Sequence, residues 1–454
     1  MRFGRMNRWL CLGLGTILLV TGCAEQRTIE NTQAVQVSQQ QVQNTEGNLN
    51  QPSEEMLPET ADTWKYEIPV STVKVLVDRN GYQTERDKEV FFLGEELASS
   101  FRVVKAENHE VVYTGEIQER MYDENTKSYM SRGDFSSITQ PGSYYIETDV
   151  VGRSYTFEIA EDAYEKMFQN IMQAGEVLQP EQTAEAICNV TFGMHTLFLA
   201  LQYHGSLFET DNDLVTQMLR MAEWMLTCQS EDGSLYADYE ATAAFCGIMT
   251  MCADNFGKYD SSIAKNYKTA ATKAWKWMEK QPQEQVKEDA LFYAAAQLFR
   301  SEGAITYQKL VTQHLTQKEG RLTENLYNFL GAALYIASVD NTSRDLCTKI
   351  MQEFVDETEK ICKAEKQNPS LVYTNVLHEN LHKVLLICFV DYITPSNEYA
   401  VIMENTLHYI AGRNDTGAGY LDAQGKWNIA DSTVSENYEW NSMLIFFLSD
   451  LLER

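Results

Sequence analysis

Residues that could do chemistry stand in three parts of this chain. The first is His378-Glu379-Asn380-Leu381-His382, inside a helical pattern. On a helix, histidines four apart share a face and can bind zinc, with the intervening glutamate as general base of a peptidase. Such a metal needs a third protein ligand. Glu398 and Glu404 follow, in no recognisable third-ligand motif. A zinc-dependent peptidase on His378 and His382 is therefore one alternative reading, a non-catalytic structural or assembly protein the other, and two histidines at a helix end the plainer account of the motif. The second part is Cys23, a thiol placed for acylation. The third is a set of carboxylates: Glu181 and Glu185 ahead of one long helical run, and Glu436 ahead of the last. No aspartate lies between Asp162 and Asp211. No cofactor is expected.

Cys23 takes its meaning from what precedes it. Arg2, Arg5 and Arg8 make a basic start, and Leu10 to Val20 is an apolar run of export-signal length, too short to span a bilayer. Val20-Thr21-Gly22-Cys23 is the small-residue pattern before a lipidated cysteine. Acyl chains on that thiol would anchor the protein. The expectation is a lipoprotein signal over 1–22 and a lipidated, disordered tether over 23–62, on the extracytoplasmic face of a bacterial membrane. The tether has no aromatic residue from 24 to 62 and is rich in Gln, Asn, Glu and Thr. Such a segment cannot bury enough apolar surface to offset its ordering entropy.

Lys and Arg total 37 against 65 Asp and Glu, a formal charge of −28. That excess opposes nucleic acid and anionic lipid headgroups as partners and is compatible with a neutral ligand such as a polysaccharide. Beyond Cys11 and Cys23, seven cysteines are scattered on helical patterns without a close CxxC pair. They read as buried free thiols rather than a disulfide frame.

The folded part has two textures. Residues 63–160 read as short strands. STVKVLVDRNGY alternates apolar and polar residues up to the Asn80-Gly81 turn, and Pro141-Gly142 opens the strand at Tyr144-Tyr145-Ile146. Strands of this spacing predict an antiparallel sandwich. Over 161–454 apolar residues recur at three and four. Val215, Met218, Leu219, Ala222 and Leu226 make one stripe, and Phe245, Ile248, Met249 and Cys252 another. About eleven helices are expected, one of them over 371–393, joined by short polar turns into hairpin pairs. Closed into a ring they make an α/α toroid with a groove at its open end; a solenoid is the alternative.

Particular runs carry a resemblance. In the sandwich they are Asn80-Gly81-Tyr82, Val112-Tyr113-Thr114-Gly115, GDFSSITQPGSYYIE at 133–147 and RSYTFEI at 153–159. In the helical part they are EWMLTCQSEDGSLY at 223–236, TAAFCGIMTMCADNFGKYD at 242–260, Gly412-Arg413-Asn414 and Glu439-Trp440-Asn441-Ser442. Together these resemble glycoside hydrolase family 9, in its branch with an N-terminal immunoglobulin-like domain. The resemblance implies an immunoglobulin-like β-sandwich followed by an (α/α)6 toroid, and action on, or binding of, β-linked polysaccharide such as β-glucan.

It also implies a site. Family members invert the anomeric centre, with one carboxylate deprotonating water and one acid protonating the leaving oxygen, about 6.5–9.5 Å apart. The family's base lies in an Asp-bearing run before the first barrel helix. Counting back from CNVTFGMHTLFLAL places Gln179 and Gln182 where its two aspartates stand. A glutamine amide takes no proton from water at neutral pH, which leaves Glu181 and Glu185 as fallback bases. The family's acid, six residues before Asn441, falls on Ser435; Glu436, one residue late, is the candidate acid. The His-His-Arg clamp expected before the last helix has no counterpart in DTGAGYLDAQGKWNIADSTVS. Tyr236, Tyr239, Tyr420 and Trp427 are the candidate sugar-stacking residues. The resemblance thus implies a hydrolase architecture with impaired or lost catalysis.

Overall fold

A computed structural model describes residues 74–454 apart from 96, 119, 124–126, 176–178, 209–212, 259 and 339–341. The expected signal, tether and Cys23 lie outside the described residues.

The strands come first. One sheet has the order β1 (Val75–Leu76), β3 (Glu89–Leu93), β7 (Ser128–Asp134), β6 (Met121–Asp123). The other runs β2 (Tyr82–Gln83), β10 (Phe157–Ala160), β8 (Gly142–Thr148), β4 (Ser100–Lys105), β5 (Val111–Glu116), with β9 (Gly152–Arg153) paired to β8. All pairs are antiparallel except β2 with β10. Alternation puts Val75, Val90, Phe92, Phe101, Val103, Tyr144, Ile146 and Phe157 between the sheets. Gly81 turns the chain at φ +112 at the Asn80-Gly81 position read from the sequence.

Twelve α-helices follow among the described residues: α1 (Ala163–Gly175), α2 (Ala184–Tyr203), α3 (Asp213–Thr227), α4 (Tyr239–Phe256), α5 (Ser261–Met278), α6 (Glu288–Glu302), α7 (Ile305–Gln317), α8 (Leu326–Ile336), α9 (Arg344–Gln367), α10 (Leu377–Ile393), α11 (Asn397–Ile410) and α12 (Val434–Leu452). The even-numbered helices form the inner ring. α2 packs between α4 and α12, α6 between α4 and α8, and α10 against α12; Phe329 of α8 meets Phe389 of α10 edge-on. Their residues are apolar almost all round because neighbours enclose them. α2 would pass for a membrane span by length and composition, yet two thirds of that window is buried in the ring. Close approach needs missing side chains: a Cβ on Gly247 would stand 2.5 Å from the Tyr293 ring.

Two expectations need correcting. The helix expected over 371–393 begins at Leu377, because Leu371 sits at φ +51, where a right-handed helix cannot run, and 371–376 forms a loop. The expected eleven helices are twelve, since α1 precedes the first helical run in the 186–203 region. All seven described cysteines are unpaired.

Candidate functional site

The inner helices begin at one end of the ring, each after a short polar segment. Thr183, Asp238, Asn325 and Thr433 are N-caps whose side chains accept a backbone N–H of the first turn. Most sequence-predicted site residues gather at this mouth.

Glu181 does not project freely there. Its carboxylate accepts the Val434 N–H at 2.6 Å and the Ser435 N–H at 3.2 Å, so it caps α12 from a different hairpin. Burial pushes its carboxyl up, but the backbone N–H groups outweigh that and hold it below the usual range. Ser435 is buried beside it, receiving the Asn189 amide at 3.2 Å and sharing a hydrogen bond with Thr433 at 3.1 Å. Glu436 closes a capping box: one oxygen accepts the Thr433 N–H at 2.8 Å and the Thr433 hydroxyl at 3.0 Å, while its own N–H is donated to Thr433 Oγ1 at 3.2 Å. Glu185 is exposed on the first turn of α2, and Gln179 and Gln182 are exposed on the loop before it.

One acid at the mouth points elsewhere. Glu439, 5 % exposed on the second turn of α12, faces His382 of α10 with Oε1 3.0 Å from Nε2. Cys188 lies nearby on α2. Burial pushes its thiol up to about 12, partly offset by a bond with the Tyr327 hydroxyl. The expected zinc motif resolves into separate roles. His378 and Glu379 are exposed, and His378 meets His382 edge-on at 6.1 Å. Asn380 is buried, accepting the Tyr373 N–H at 3.0 Å and donating to Thr406 at 3.1 Å. Among the described residues no three His, Cys, Asp or Glu side chains are gathered to hold a metal ion.

The four aromatic candidates differ in what they offer. Tyr236 is 40 % exposed. It and Ala237 both sit in left-handed backbone, at φ +54 and +53, just before α4. Two non-glycine residues held there mark local strain. Tyr420 is half-buried, 6.1 Å from the Tyr409 ring. Tyr239 and Trp427 are each only 6 % exposed. Tyr239 packs toward Trp277. Trp427 lies edge-on to Trp440 at 5.0 Å and donates its indole N–H to Asn441 at 2.7 Å. Neither presents an open face for a sugar ring.

Gly412-Arg413-Asn414 lies where the sandwich meets the ring. Arg413, 1 % exposed, stands over the Phe91 ring at 4.7 Å and donates to Asn405 at 2.6 Å. Beside it His408 Nδ1 and Asp78 Oδ2 are 2.6 Å apart, and the Arg79 N–H reaches the Ala411 carbonyl at 3.0 Å. Sequence reasoning read none of these joint contacts, nor the caps of α12, because their partners lie in distant segments.

Comparisons with known proteins fit this layout. Residues 71–153 match the model of a cellulase N-terminal immunoglobulin-like domain, and 237–426 that of glycosyl hydrolase family 9. Endoglucanase D of Acetivibrio thermocellus is 20 % identical, over 72 % of this chain and 69 % of its own. Among solved structures, a metagenome-derived family 9 endoglucanase is similar with a TM-score of 0.69 at 16 % identity, covering 83 % of this chain and 98 % of that one. AaCel9A, solved with cellobiose-like isofagomine, gives 0.67 at 15 % identity over 84 % and 100 %. A Bacteroides ovatus family 9 protein gives 0.65 at 15 % over 84 % and 99 %. These likenesses carry the (α/α)6 fold.

Proposed function

Because the chain belongs to glycoside hydrolase family 9, with an N-terminal immunoglobulin-like domain, we propose that it is a lipid-anchored surface protein that binds β-glucan and has lost, or nearly lost, the family's inverting hydrolysis. One observation carries this reading. Glu181, the carboxylate beside the glutamines that replace the aspartate pair, has both oxygens engaged by the N-terminus of α12. A base must be aimed at water within hydrogen-bond reach, and these bonds aim Glu181 at the start of α12 instead. Glu436 is likewise drawn into its own helix start. Binding asks less of the mouth: Tyr236, Tyr420 and the polar side chains around the Glu439–His382 pair supply faces and hydrogen bonds for a neutral chain. The relatives' names supply the ligand class, and the acidic surface disfavours anionic glycans.

Soluble protein lacking the segment through Cys23 tests the reading. It is expected to be retarded in gels cast with β-glucan and to release no reducing ends above background; Tyr236→Ala weakens the retardation at unchanged Tm. Release of sugars with inverted anomeric configuration at ordinary enzyme rates overturns the loss of catalysis, and absence of retardation overturns the ligand. For the anchor, mass spectrometry of the membrane-extracted N-terminus is expected to find acyl chains on Cys23, and Cys23→Ala to release the protein; an unmodified Cys23 refutes it.

A further inference from the structure

The opposite end of the ring, where the inner helices stop, holds a cavity of about 450 Å³. It is walled by the ends of α2, α10 and α12, and Arg86 reaches it from the sandwich.

Its floor is a dense polar network. Asp391 is 1 % exposed; one oxygen accepts the Ser396 N–H at 2.8 Å and the other pairs with Arg454. Asp450 accepts from Arg454 Nε at 3.0 Å and is hydrogen-bonded to Asp391. Burial, with Asp391 alongside, pushes Asp450 up to about 7. Next to it His204, 2 % exposed, bonds Glu453 through Nδ1 at 2.9 Å. Its Nε2 has no hydrogen-bond partner, the nearest carboxylate oxygen, on Asp450, being 4.0 Å away. The Glu453 carboxylate faces Nδ1 and so receives the proton of that nitrogen, which turns Nε2 to the cavity as the acceptor of the neutral ring, a form that burial favours by lowering the His204 pKa. An unpaired acceptor this deep is destabilising unless something donates to it.

One wall is flat and aromatic. Tyr203 and Tyr392 are stacked at 4.0 Å with planes 6° apart, and half-buried Tyr392 borders the cavity.

The composition selects the occupant. Asp391, Asp450 and Glu453 repel an anion. Arg86 and Arg454 repel an organic cation. No three ligating side chains are gathered for a metal among the described residues. A neutral molecule dense in hydroxyls is left, because each hydroxyl both donates to a carboxylate or imidazole and accepts from a guanidinium, and its C–H face packs on a tyrosine ring. A volume of this size lies within the range of small-molecule sites. We propose that this cavity is a second ligand site of the protein, taking a neutral polyhydroxylated molecule of one or two sugar units, with His204 Nε2 accepting one of its hydroxyls. The site stands apart from the mouth and does not depend on the β-glucan reading.

Hydrogen exchange on the whole soluble chain, with D-glucose or cellobiose added, tests this. Protection is expected in the segments around 203–208, 391–397 and 450–454. His204→Asn keeps an amide N–H for Glu453 and deletes the Nε2 acceptor; the midpoint of protection should rise about five- to tenfold, the loss of one hydrogen bond. Tyr236→Ala, at the mouth, should leave that midpoint unchanged. Absence of protection in the wild type at high sugar concentration overturns the proposal, whatever the variant does. So does an unchanged midpoint in His204→Asn, or protection by calcium in place of sugar. If the mouth binds no glucan while these segments are protected, the β-glucan reading fails and the second site stands.

Discussion

Replacing Glu181 separates a helix cap from a catalytic base. The carboxylate receives two backbone N–H groups at the start of α12, at 2.6 and 3.2 Å. Losing an N-terminal cap costs about 0.5–2 kcal/mol, and losing a negative charge at a helix N-terminus about 0.3–1 kcal/mol where exposed. Glu181 is only partly buried, so solvent screens the charge contribution. Glu181→Ala is therefore expected to cost about 1–2 kcal/mol, lowering Tm by roughly 1–3 °C in a folded part of this size. The pH dependence has a definite sign. The folded carboxyl lies below its ordinary value, so its contribution is whole above the unfolded pKa of about 4.3 and vanishes as pH falls through the folded one. Thermal scans of wild type and Glu181→Ala should thus differ at pH 7 and draw together as pH falls through the lowered folded pKa. Glu181→Gln, which keeps an acceptor oxygen, should fall between them. A base behaves otherwise: its removal cuts turnover about 10²–10⁴-fold and leaves Tm alone. If the wild type cleaves β-glucan and Glu181→Gln abolishes cleavage at unchanged Tm, the capping account and the proposed loss of catalysis both fail.

Two further predictions concern the joint between sandwich and ring. Asp78, fully buried, accepts the Asn80 and Gly81 N–H groups at 2.7 and 3.0 Å and faces His408 at 2.6 Å; Asp78→Ala is expected to cost about 3–5 kcal/mol in guanidinium unfolding, and a loss below about 1 kcal/mol would refute the pair's role. Burial pushes the Glu365 carboxyl up to about 8, against the Asn405 amide that bonds it. A raised carboxyl stabilises the fold below its unfolded pKa, and that contribution drains away as pH rises toward about 8; Glu365→Gln should remove this part of the slope, and an unaltered stability profile between pH 5 and about 8 would contradict it.

The sandwich was legible because its signals are local. Alternation over Val73 to Val77 and the Asn80-Gly81 turn need nothing distant, and β1, β2 and the φ of +112 at Gly81 follow. The inner helices were legible for the opposite reason: residues enclosed on all sides are apolar in every context. The start of α10 was not, because Leu371 and Val372 are buried by tertiary contacts while the backbone around them is a loop. The site was least legible. Spacing placed Ser435 and Glu436 at the head of the last helix, but whether an acid there is free depends on partners such as Glu181, 253 positions away from Val434.

That dependence also bears on the proposed loss of hydrolysis. A working carboxylate pair must hold one acid unpaired in front of water and a second protonated across from it, an arrangement that costs stability and persists only where the surrounding structure enforces it. Around α12 the polar groups instead satisfy one another: Glu181 with the helix N–H groups, Thr433 with Glu436, Asn189 with Ser435, and Glu439 with His382. Each such bond turns a polar group of the mouth toward a neighbour in the fold. Reintroducing aspartate at Gln179 and Gln182, both exposed on the loop before α2, would add charge without an acid opposite. Those two substitutions alone are expected to leave reducing-end release at background, and turnover restored by them without any change at Ser435 or Glu436 would overthrow this view of the mouth.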